Sequence, residues 1–312
     1  MTRVTAERIG LLVNPTAGKH RGEQIGTRVA DLLEAGGREV VDLTGLDASR
    51  AEAKARQAVA TGDIDLLVVA GGDGAAGLGA NICADTDVPL GIVAVGTGND
   101  NARELGLPVQ DVEASVQRIL RGSVRSMDLG RVSGPDGEPV RDYLGVLSCG
   151  FDAVVNERAN RMSWPRGPQR YNLAILRELP VFGAIHYDLT IDGVEREVDG
   201  MLVCIANGRA FGGGMKVAPA ADVDDGLLDV VIVHDIPIPT FLSVFPKVFS
   251  GTHTTHPAVE IVRGARVSIA TERIVSYADG ERVGPLPATV EAARGALGQQ
   301  EVQELRDSLG FM

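Results

Sequence analysis

Two glycine-rich loops constrain the fold of this 312-residue chain more than any other feature of its sequence. They are Gly71-Gly72-Asp73-Gly74 and Gly96-Thr97-Gly98-Asn99-Asp100. Each loop follows a short apolar run rich in β-branched residues, a pattern typical of a buried strand. Glycine leaves backbone N–H groups open to a phosphate, and a loop carboxylate suits a phosphate that carries Mg²⁺. The two loops therefore predict a metal–nucleotide site and favour a phosphoryl-transfer enzyme.

Strand and helix patterns alternate over the first 130 or so residues. The predicted strands are 8–13, 39–43, 65–70 and 90–95, and the predicted helices are 21–34, 49–60 and 109–121. This alternation predicts a doubly wound α/β domain, with a parallel sheet and helices on both of its faces. Ligands bind such sheets outside the carboxyl ends of the strands. The loop after the first strand, Asn14-Pro15-Thr16-Ala17-Gly18, is therefore expected to share one crevice with the two glycine loops.

The pattern changes after about Ser126. Short alternating runs separated by Gly, Pro and Asp predict strands at 143–148, 184–191, 201–206, 227–233 and 265–270, with one helix at 169–179. The second half is therefore expected to be a mostly antiparallel β domain. The predicted domains are 1–128, with 291–312 packing back on it, and 129–290. Residues 301–309 are predicted to be helical.

Composition excludes several classes of protein. The formal net charge of −12 argues against nucleic acid as a partner and against strong electrostatic attachment to anionic lipid, although a local basic patch is compatible with that average. The three widely spaced cysteines, Cys83, Cys149 and Cys204, are typical of reduced, buried residues. The sequence shows no signal peptide and no apolar run long enough to span a membrane. We therefore expect a soluble cytoplasmic protein.

One motif points in another direction. Residues 72–77 match the dinucleotide fingerprint G-x-G-x-x-G. The match follows the third predicted strand rather than the first, and Asp73 lies where a pyrophosphate would approach. The strand that follows ends in glycine and threonine, not in an acidic residue. A dehydrogenase is therefore disfavoured.

A longer series of motifs resembles a known family. In chain order the series is Asn14-Pro15-Thr16-Ala17-Gly18, the two glycine loops, Ala102, Leu105-Gly106, Asp128-Leu129-Gly130, Ser148-Cys149-Gly150-Phe151-Asp152, Asn207-Gly208, Gly212-Gly213-Gly214-Met215, Ala218-Pro219, Asp225-Gly226 and Asp279-Gly280-Glu281. It resembles the diacylglycerol kinase catalytic domain family, the bacterial lipid kinases related to sphingosine and ceramide kinases, over nearly the whole chain. The first glycine loop alone also fits NAD kinases; the second loop and the late Asp-Gly-Glu favour the lipid kinases.

The resemblance implies an N-terminal nucleotide domain, a C-terminal β-sandwich and an active site between them. ATP would be held by Asn14, Pro15, Thr16, Gly18 and both glycine loops. Mg²⁺ would be organised by Asp73, Asp100 and Asp128, partly through water. A second metal loop would use Asp222, Asp225 and the Leu227 carbonyl, although a solvated acidic turn also explains that loop. Catalysis would fall to Glu281, Asp279 and Asp73, with a carboxylate accepting the proton of the lipid hydroxyl. The Asp-Gly-Glu segment alone also fits a hairpin turn.

The expected reaction is transfer of the ATP γ-phosphoryl group to diacylglycerol at the inner membrane surface, giving phosphatidic acid. A sphingoid base, another glycerol or prenyl lipid, and a non-lipid alcohol stay open as acceptors, and the oligomeric state stays open, a homodimer included. The chain departs from the family at Ala75, where Thr or Ser is usual, and at Gly77-Leu78, which replaces an Asn-Glu pair. These changes leave open a nucleotide-binding regulator with weakened catalysis.

Three further segments have two interpretations each. His253 and His256 could form a metal pair, but no third ligand is near in the sequence, so a structural or solvated role is favoured. The segment from Trp164 to Leu179 could form a lipid entrance or pack in the core. Phe241, Phe245 and Phe249 recur at helical spacing and predict either a membrane-facing ridge or a core stripe.

Overall fold

The computed structural model describes residues 2–3, 6–14, 22–45, 47–162, 164, 168–179, 182–272 and 274–300, which form two compact units. The first unit contains Met1–Leu129 and, from the end of the chain, residues 294–300; the second is Gly130–Ala293. The chain leaves the first unit within β6 (Ser123–Ser133) and returns within β16 (Ala288–Gln300). The helix predicted at 301–309 and the rest of 301–312 lie outside the described residues, as do Pro15, Thr16 and Gly18.

A parallel sheet forms the centre of the first unit. Its strands, in spatial order, are β3 (Glu39–Asp42), β2 (Arg8–Val13), β4 (Leu66–Gly71) and β5 (Leu90–Ala94). Every residue of β4 and β5 is buried, because helices cover both faces of a parallel sheet. This is why both strands appear in the sequence as continuous apolar runs. A short β1 (Thr2–Arg3) pairs antiparallel with β6.

Helices lie on both faces of this sheet. Helices α1 (Gly22–Ala35) and α5 (Val112–Arg121) pack against one face through residues such as Leu33 and Val116. Helix α3 (Asp73–Cys83) covers the other face, and α2 (Ala48–Thr61) contacts α3. A Cβ added at Gly79 would lie 2.6 Å from Leu90 Cδ1, so glycine lets α3 approach the sheet closely. The doubly wound α/β prediction is confirmed.

The second unit is built from antiparallel strands. One sheet path runs through β15 (Glu281–Pro285), β14 (Val275–Ala278), β8 (Val146–Gly150), β10 (Val194–Ala206), β9 (Ile185–Ile191), β13 (Arg266–Ala270) and β16. Strand β11 (Leu228–His234) joins β10 to β12 (Val259–Gly264), and β7 (Pro139–Tyr143) pairs with β6. Alternate residues of β10 enter two cores, Val203 and Ile205 in one and Cys204 and Ala206 in the other. The predicted sandwich-like β architecture is confirmed.

Three helices accompany these strands, namely α6 (Phe151–Arg161), α7 (Pro168–Glu178) and α8 (Ile238–Val244). Helix α6 was not predicted, and the strand predicted at 143–148 is in fact the end of β7 and the start of β8. The three cysteines are buried and free, as predicted. None of the helices in the described part of the chain has the length and hydropathy that a bilayer crossing demands.

Candidate active site

The second glycine loop is closed by its own asparagine. Asn99 adopts a left-handed backbone conformation, with φ of 61°, which asparagine tolerates better than most residues. Its Oδ1 accepts the N–H of Gly96 at 3.0 Å, and its Nδ2 donates to the Gly96 carbonyl at 2.7 Å. The side chain is only 2% exposed. The side chain of Asn99 therefore closes the loop on Gly96.

Asp73 connects the first glycine loop to the second. It begins α3, and its Oδ2 accepts the N–H of Asn99 at 2.8 Å while its Oδ1 accepts the N–H of Asn101 at 3.0 Å. The carboxylate thereby caps the short helix α4 (Asp100–Glu104). Burial raises the pKa of Asp73, and the neighbouring Asp100 carboxylate adds to this rise, whereas the N–H donors oppose it.

The two loops also pack backbone against backbone. A Cβ at Gly96 would lie 2.3 Å from the Cα of Gly72, and one at Gly98 would lie 2.5 Å from Asp73 Oδ2. The first contact is with backbone, so packing alone requires glycine at position 96; a side chain at position 98 would displace the Asp73 carboxylate oxygen that accepts the Asn99 N–H. Thr97 and Gly74, in contrast, are exposed.

The loop after β2 joins the same edge of the sheet. The N–H of Asn14 donates to the Ala70 carbonyl at 3.0 Å, and the N–H of Gly96 donates to the Gly71 carbonyl at 3.1 Å. A Cβ at Gly71 would lie 3.4 Å from the Asn14 Cβ and 2.5 Å from the Ala75 Cβ. The structure therefore brings together the ends of the three strands β2, β4 and β5, as the sequence predicted for parallel strands.

The other two carboxylates predicted for Mg²⁺ in this unit are almost fully buried. Asp100 is 5% exposed and pairs with Arg103 at 3.2 Å, and Asp128 on β6 is 4% exposed and accepts the N–H of Gly295 at 2.7 Å. Within the residues that the structure describes, no group of three or more His, Cys, Asp or Glu side chains is arranged to hold a metal. Mg²⁺ commonly binds through one or two carboxylates, waters and substrate phosphates rather than through a protein cage. The hard oxygen donors present here fit that mode.

Sequence reasoning missed three residues that support the second loop. Asn101 is 5% exposed and donates its backbone N–H to Asp73, whereas its Nδ2 finds no partner in the part of the chain that is described. Arg103 donates to the Gly98 carbonyl in addition to pairing with Asp100, and the Gln110 amide donates to the Gly96 carbonyl. The available signal was the three-residue spacing from Asp100 to Arg103, which places the two side chains on one helix face.

A cavity of about 480 Å³ lies between α1 and the sheet edge in the same unit. Its floor is apolar and includes Val13 and Val40, and its polar lining includes Asp42 and Thr44 from the end of β3. The Thr44 hydroxyl accepts the N–H of Val13 at 3.3 Å, and the Thr44 N–H donates to Asp42 Oδ1 at 2.8 Å. No sequence motif marks Asp42 or Thr44, although both lie at or just after the end of a strand of the same sheet.

In the second unit, Asp279 is bound to the backbone. It lies with Gly280 in the tight turn between β14 and β15, with a positive φ of 49°. Its carboxylate accepts the N–H groups of Leu144, Gly145 and Val146 at 2.9, 3.0 and 3.1 Å. The backbone of the Asp-Gly-Glu segment therefore forms a hairpin turn, which is one of the two interpretations of its sequence. Asp279 fixes this turn to the loop before β8.

The side chain of Glu281, unlike that of Asp279, is exposed at the start of β15, and within the described ranges it makes neither a hydrogen bond nor an ion pair. The hairpin that carries it is held from α6, where Glu157 accepts the Tyr277 hydroxyl at 2.9 Å and Arg282 Nε at 2.8 Å. The Arg282 hydrogen bond is the main cause that lowers the pKa of Glu157.

At the predicted second metal loop, an arginine of β12 already serves as the counter-ion. Asp225 Oδ1 accepts the Leu227 N–H at 2.9 Å, and its other oxygen pairs with the Arg263 guanidinium. Arg263 Nε also lies 3.6 Å from Oδ2 of Asp229, which is 3% exposed and whose pKa is raised by burial. Asp222 is exposed. Any metal ion here would share these carboxylates with an arginine, so the metal assignment stays a prediction.

The structure shows the environments of the histidine pair and of the phenylalanine stripe. His253 is buried, and its Nε2 bonds to the Val217 carbonyl at 3.0 Å, whereas His256 Nδ1 accepts the Ala258 N–H. These contacts agree with a structural role. The three phenylalanines have different environments. Phe241 is 4% exposed and packs edge-on against Phe151, whereas Phe245 and Phe249 are partly exposed.

The chain is similar to known proteins over nearly its whole length. Residues 8–132 match the family model "Diacylglycerol kinase catalytic domain", and residues 145–299 match "YegS C-terminal NAD kinase beta sandwich-like domain". A diacylglycerol kinase of Mycobacterium tuberculosis is 37% identical over 292 residues, covering 93% of this chain and 94% of that protein. One from Bacillus subtilis is 26% identical over 285 residues, covering 90% and 92%. A crystal structure titled as a putative diacylglycerol kinase from Bacillus anthracis superposes with a TM-score of 0.80, at 23% identity, over 97% of each chain.

Proposed function

The chain belongs to the diacylglycerol kinase family, and we propose that its reaction is the conversion of diacylglycerol to phosphatidic acid with ATP as phosphoryl donor. Membership in this family supports the general assignment that the protein is a lipid kinase that uses ATP to phosphorylate an alcohol group. The choice of diacylglycerol rests on one observation, the 37% identity to the mycobacterial diacylglycerol kinase along nearly the whole chain. We propose a cytoplasmic protein that meets its lipid at the inner membrane surface.

We propose that the nucleotide binds at the strand ends of the first unit. The triphosphate would lie on Asn14 and the two glycine loops, with Pro15, Thr16 and Gly18 as further contacts expected from the sequence. Two observations support this: the three loops meet at one sheet edge, and the N-terminus of α3 begins there. The adenosine would occupy the cavity beside β3, because an apolar floor with a few polar groups suits a base and ribose.

Asp73, Asp100 and Asp128 would hold Mg²⁺ together with the nucleotide phosphates and water. When bound, Mg²⁺ neutralises phosphate charge. Asp73 has a second task, because its oxygens also position the second glycine loop. Asp222, Asp225 and Leu227 stay the proposed ligands of a separate structural cation.

Glu281 is our proposed general base. An exposed carboxylate without a partner is free to accept the proton of the lipid hydroxyl as its oxygen bonds to the γ-phosphorus. The bond from that phosphorus to the β–γ bridging oxygen breaks, and ADP leaves. Asp279 would act by position, because its oxygens already accept three backbone N–H groups.

The test is transfer of radiolabelled γ-phosphate from ATP to a panel of acceptors in mixed micelles, with products identified by mass spectrometry. The panel contains diacylglycerol, sphingosine, a prenol and glycerol. We expect diacylglycerol to be phosphorylated with the highest kcat/KM. A higher kcat/KM for another acceptor would overturn the choice of substrate, and no transfer to any acceptor would overturn the proposed reaction.

A second candidate function is nucleotide binding without turnover. It is favoured by Ala75 and Leu78, which remove a hydroxyl and a carboxylate that the family usually has. Ala75 is buried with its Cβ towards Gly71, so its replacement by Ser is a small change at this position. Calorimetric binding of Mg·ADP together with no lipid phosphorylation would support this alternative, and restored turnover in Ala75→Ser would locate the defect.

A further inference from the structure

A short segment of the second unit exposes three large apolar side chains. Helix α8 continues into a 3₁₀ turn, Phe245–Phe249, and the exposed residues are Leu242 at 49%, Phe245 at 36% and Phe249 at 51%. We refer to these three residues as the apolar ridge. In the same segment, Phe241, Val244 and Val248 are at most 8% exposed and belong to the core. The buried face accounts for the fold of the segment, so the ridge is additional apolar surface that the fold does not use.

Aromatic contacts and a backbone hydrogen bond fix the position of the apolar ridge. Phe241 lies 5.5 Å from Phe151 and 6.0 Å from Phe245 between ring centroids. The 3₁₀ turn is closed by the N–H of Gly251, which donates to the Val248 carbonyl at 3.2 Å. A ridge fixed in this way loses little conformational freedom when it is covered. The cavity beneath it has a volume of only about 60 Å³, roughly that of two water molecules.

The charge of this segment is unusual for the chain. The protein has 42 acidic residues and a net charge of −12, yet residues 236–259 contain no Asp or Glu. The one Lys in that stretch, Lys247, is exposed and lies in the 3₁₀ turn between Phe245 and Phe249. A segment that exposes apolar side chains, contains no acidic residue and carries a cation is complementary to an anionic lipid headgroup layer.

We propose that the apolar ridge is a membrane-docking surface that inserts Leu242 and Phe249 into an anionic phospholipid bilayer, with Lys247 among the headgroups. The inference rests on the proposed function, because a lipid kinase needs access to a substrate that resides in a bilayer. Shallow insertion of apolar side chains together with a basic residue gives reversible binding, which suits repeated visits to the membrane.

The test is co-sedimentation of the full chain with vesicles, without ATP or diacylglycerol. One set of vesicles contains equal amounts of phosphatidylcholine and phosphatidylglycerol, and the other contains phosphatidylcholine alone. We expect Leu242→Asn and Phe249→Asn each to weaken binding to the mixed vesicles about tenfold. Lys247→Gln should weaken it about fivefold on mixed vesicles only, because its contribution is electrostatic.

Val194→Asn is the matched control. Val194 is 63% exposed and starts β10, six residues before Gly200, which pairs with His234 at the entry to α8. It therefore lies about 20 Å along the strand from that entry. We expect this variant to bind vesicles like the wild type, and thermal unfolding of each variant checks that it is folded.

The outcomes separate this proposal from the proposed function. Wild-type chain that binds neither set of vesicles, or ridge variants that bind like the wild type, would overturn the docking surface whatever the kinase activity. Vesicle binding that depends on the ridge, in a chain that phosphorylates no lipid, would support the surface and overturn the reaction. Analytical ultracentrifugation adds one more outcome: self-association that Phe249→Asn abolishes, with vesicle binding intact, would make the ridge a protein interface and overturn the proposal.

Discussion

The Asp73 carboxylate accepts the backbone N–H of Asn101 at 3.0 Å, which joins residues 28 positions apart in the chain. The same side chain accepts the N–H of Asn99, so one carboxylate connects α3 to the end of the second glycine loop and to the start of α4. A group proposed to organise Mg²⁺ is therefore also a structural cap. Loss of activity on its substitution would not by itself separate the two roles, but stability without nucleotide does.

We predict that Asp73→Asn destabilises the protein in the absence of nucleotide by about 1–3 kcal/mol. The amide of asparagine keeps one acceptor, but its NH₂ group faces a backbone N–H donor, which leaves a buried donor unpaired. Urea unfolding of the ligand-free chain measures the change. Asp63→Asn, at an exposed site after α2, serves as comparison. Unchanged stability of Asp73→Asn would show that the loop holds its shape without this carboxylate.

The two carboxylates of the Asp-Gly-Glu segment should give opposite results. We expect Glu281→Gln to leave stability within about 0.5 kcal/mol of wild type, because the side chain is exposed and unpaired. Lipid phosphorylation should fall roughly 10²–10⁴-fold, the usual contribution of a general base. Thermal unfolding and the initial rate of phosphate transfer measure the two effects. Full activity in Glu281→Gln would exclude this residue as the base.

Asp279→Asn should instead lower stability by about 1–3 kcal/mol, because an amide cannot accept all the backbone N–H groups that the carboxylate accepts. Any loss of activity should appear with the loss of stability. Urea unfolding gives the stability, and limited proteolysis reports on the loop at 144–146. Wild-type stability together with complete loss of activity would identify Asp279 as a catalytic group.

The sequence predicts the first of these two sites better than the second. Strands β2, β4 and β5 appear as short apolar runs, and parallel strands necessarily bring their carboxyl ends together, so the meeting of Asn14, Gly71 and Gly96 follows from local pattern and topology. The role of Asp279 does not. Its partner Leu144 lies 135 positions away, and no local spacing indicates such a bond.

Two other parts of the fold illustrate the same difference. Helix α6 carries Phe151, Val155 and Ala159 at four-residue spacing, which is a helical pattern. The Gly-Phe-Asp motif at the start of this helix is interpreted only as part of a site, so the helix is not predicted. The late strand β12 is only partly buried, and its residues do not alternate clearly between polar and apolar. Its place in the sheet is decided by pairing with β11, which the sequence does not show.

Acid should destabilise the protein through His253. Burial lowers the pKa of this histidine in the folded state, whereas the unfolded chain keeps a value near 6.5. The unfolded state therefore binds the proton first, and the stabilising difference is lost as pH falls below about 6.5 towards the folded pKa. We expect His253→Gln to have a smaller loss of melting temperature than wild type between pH 7.5 and pH 5.5.

His256→Gln provides the comparison for that experiment, since its ring accepts only a neighbouring backbone N–H. Burial raises the pKa of Asp152 and of Asp73, so these carboxyls favour the folded state as pH falls and oppose the histidine effect. The difference between His253→Gln and wild type, rather than the wild-type curve alone, isolates the histidine. Parallel curves for the two proteins would contradict the prediction.

Arg263 on β12 provides a test of the loop predicted to bind a metal. Its guanidinium pairs with Asp225 and faces the buried Asp229. Arg263→Gln should destabilise the protein by about 1–2 kcal/mol, because it leaves the buried Asp229 carboxylate without a counter-charge. The loss is kept small because Arg263 itself is partly exposed to solvent. Mg²⁺ without nucleotide should restore part of this loss, because a divalent cation can replace the guanidinium among hard oxygen donors. Equal stability of the variant with MgCl₂ and with NaCl of the same ionic strength would argue against a cation site at Asp222, Asp225 and Leu227.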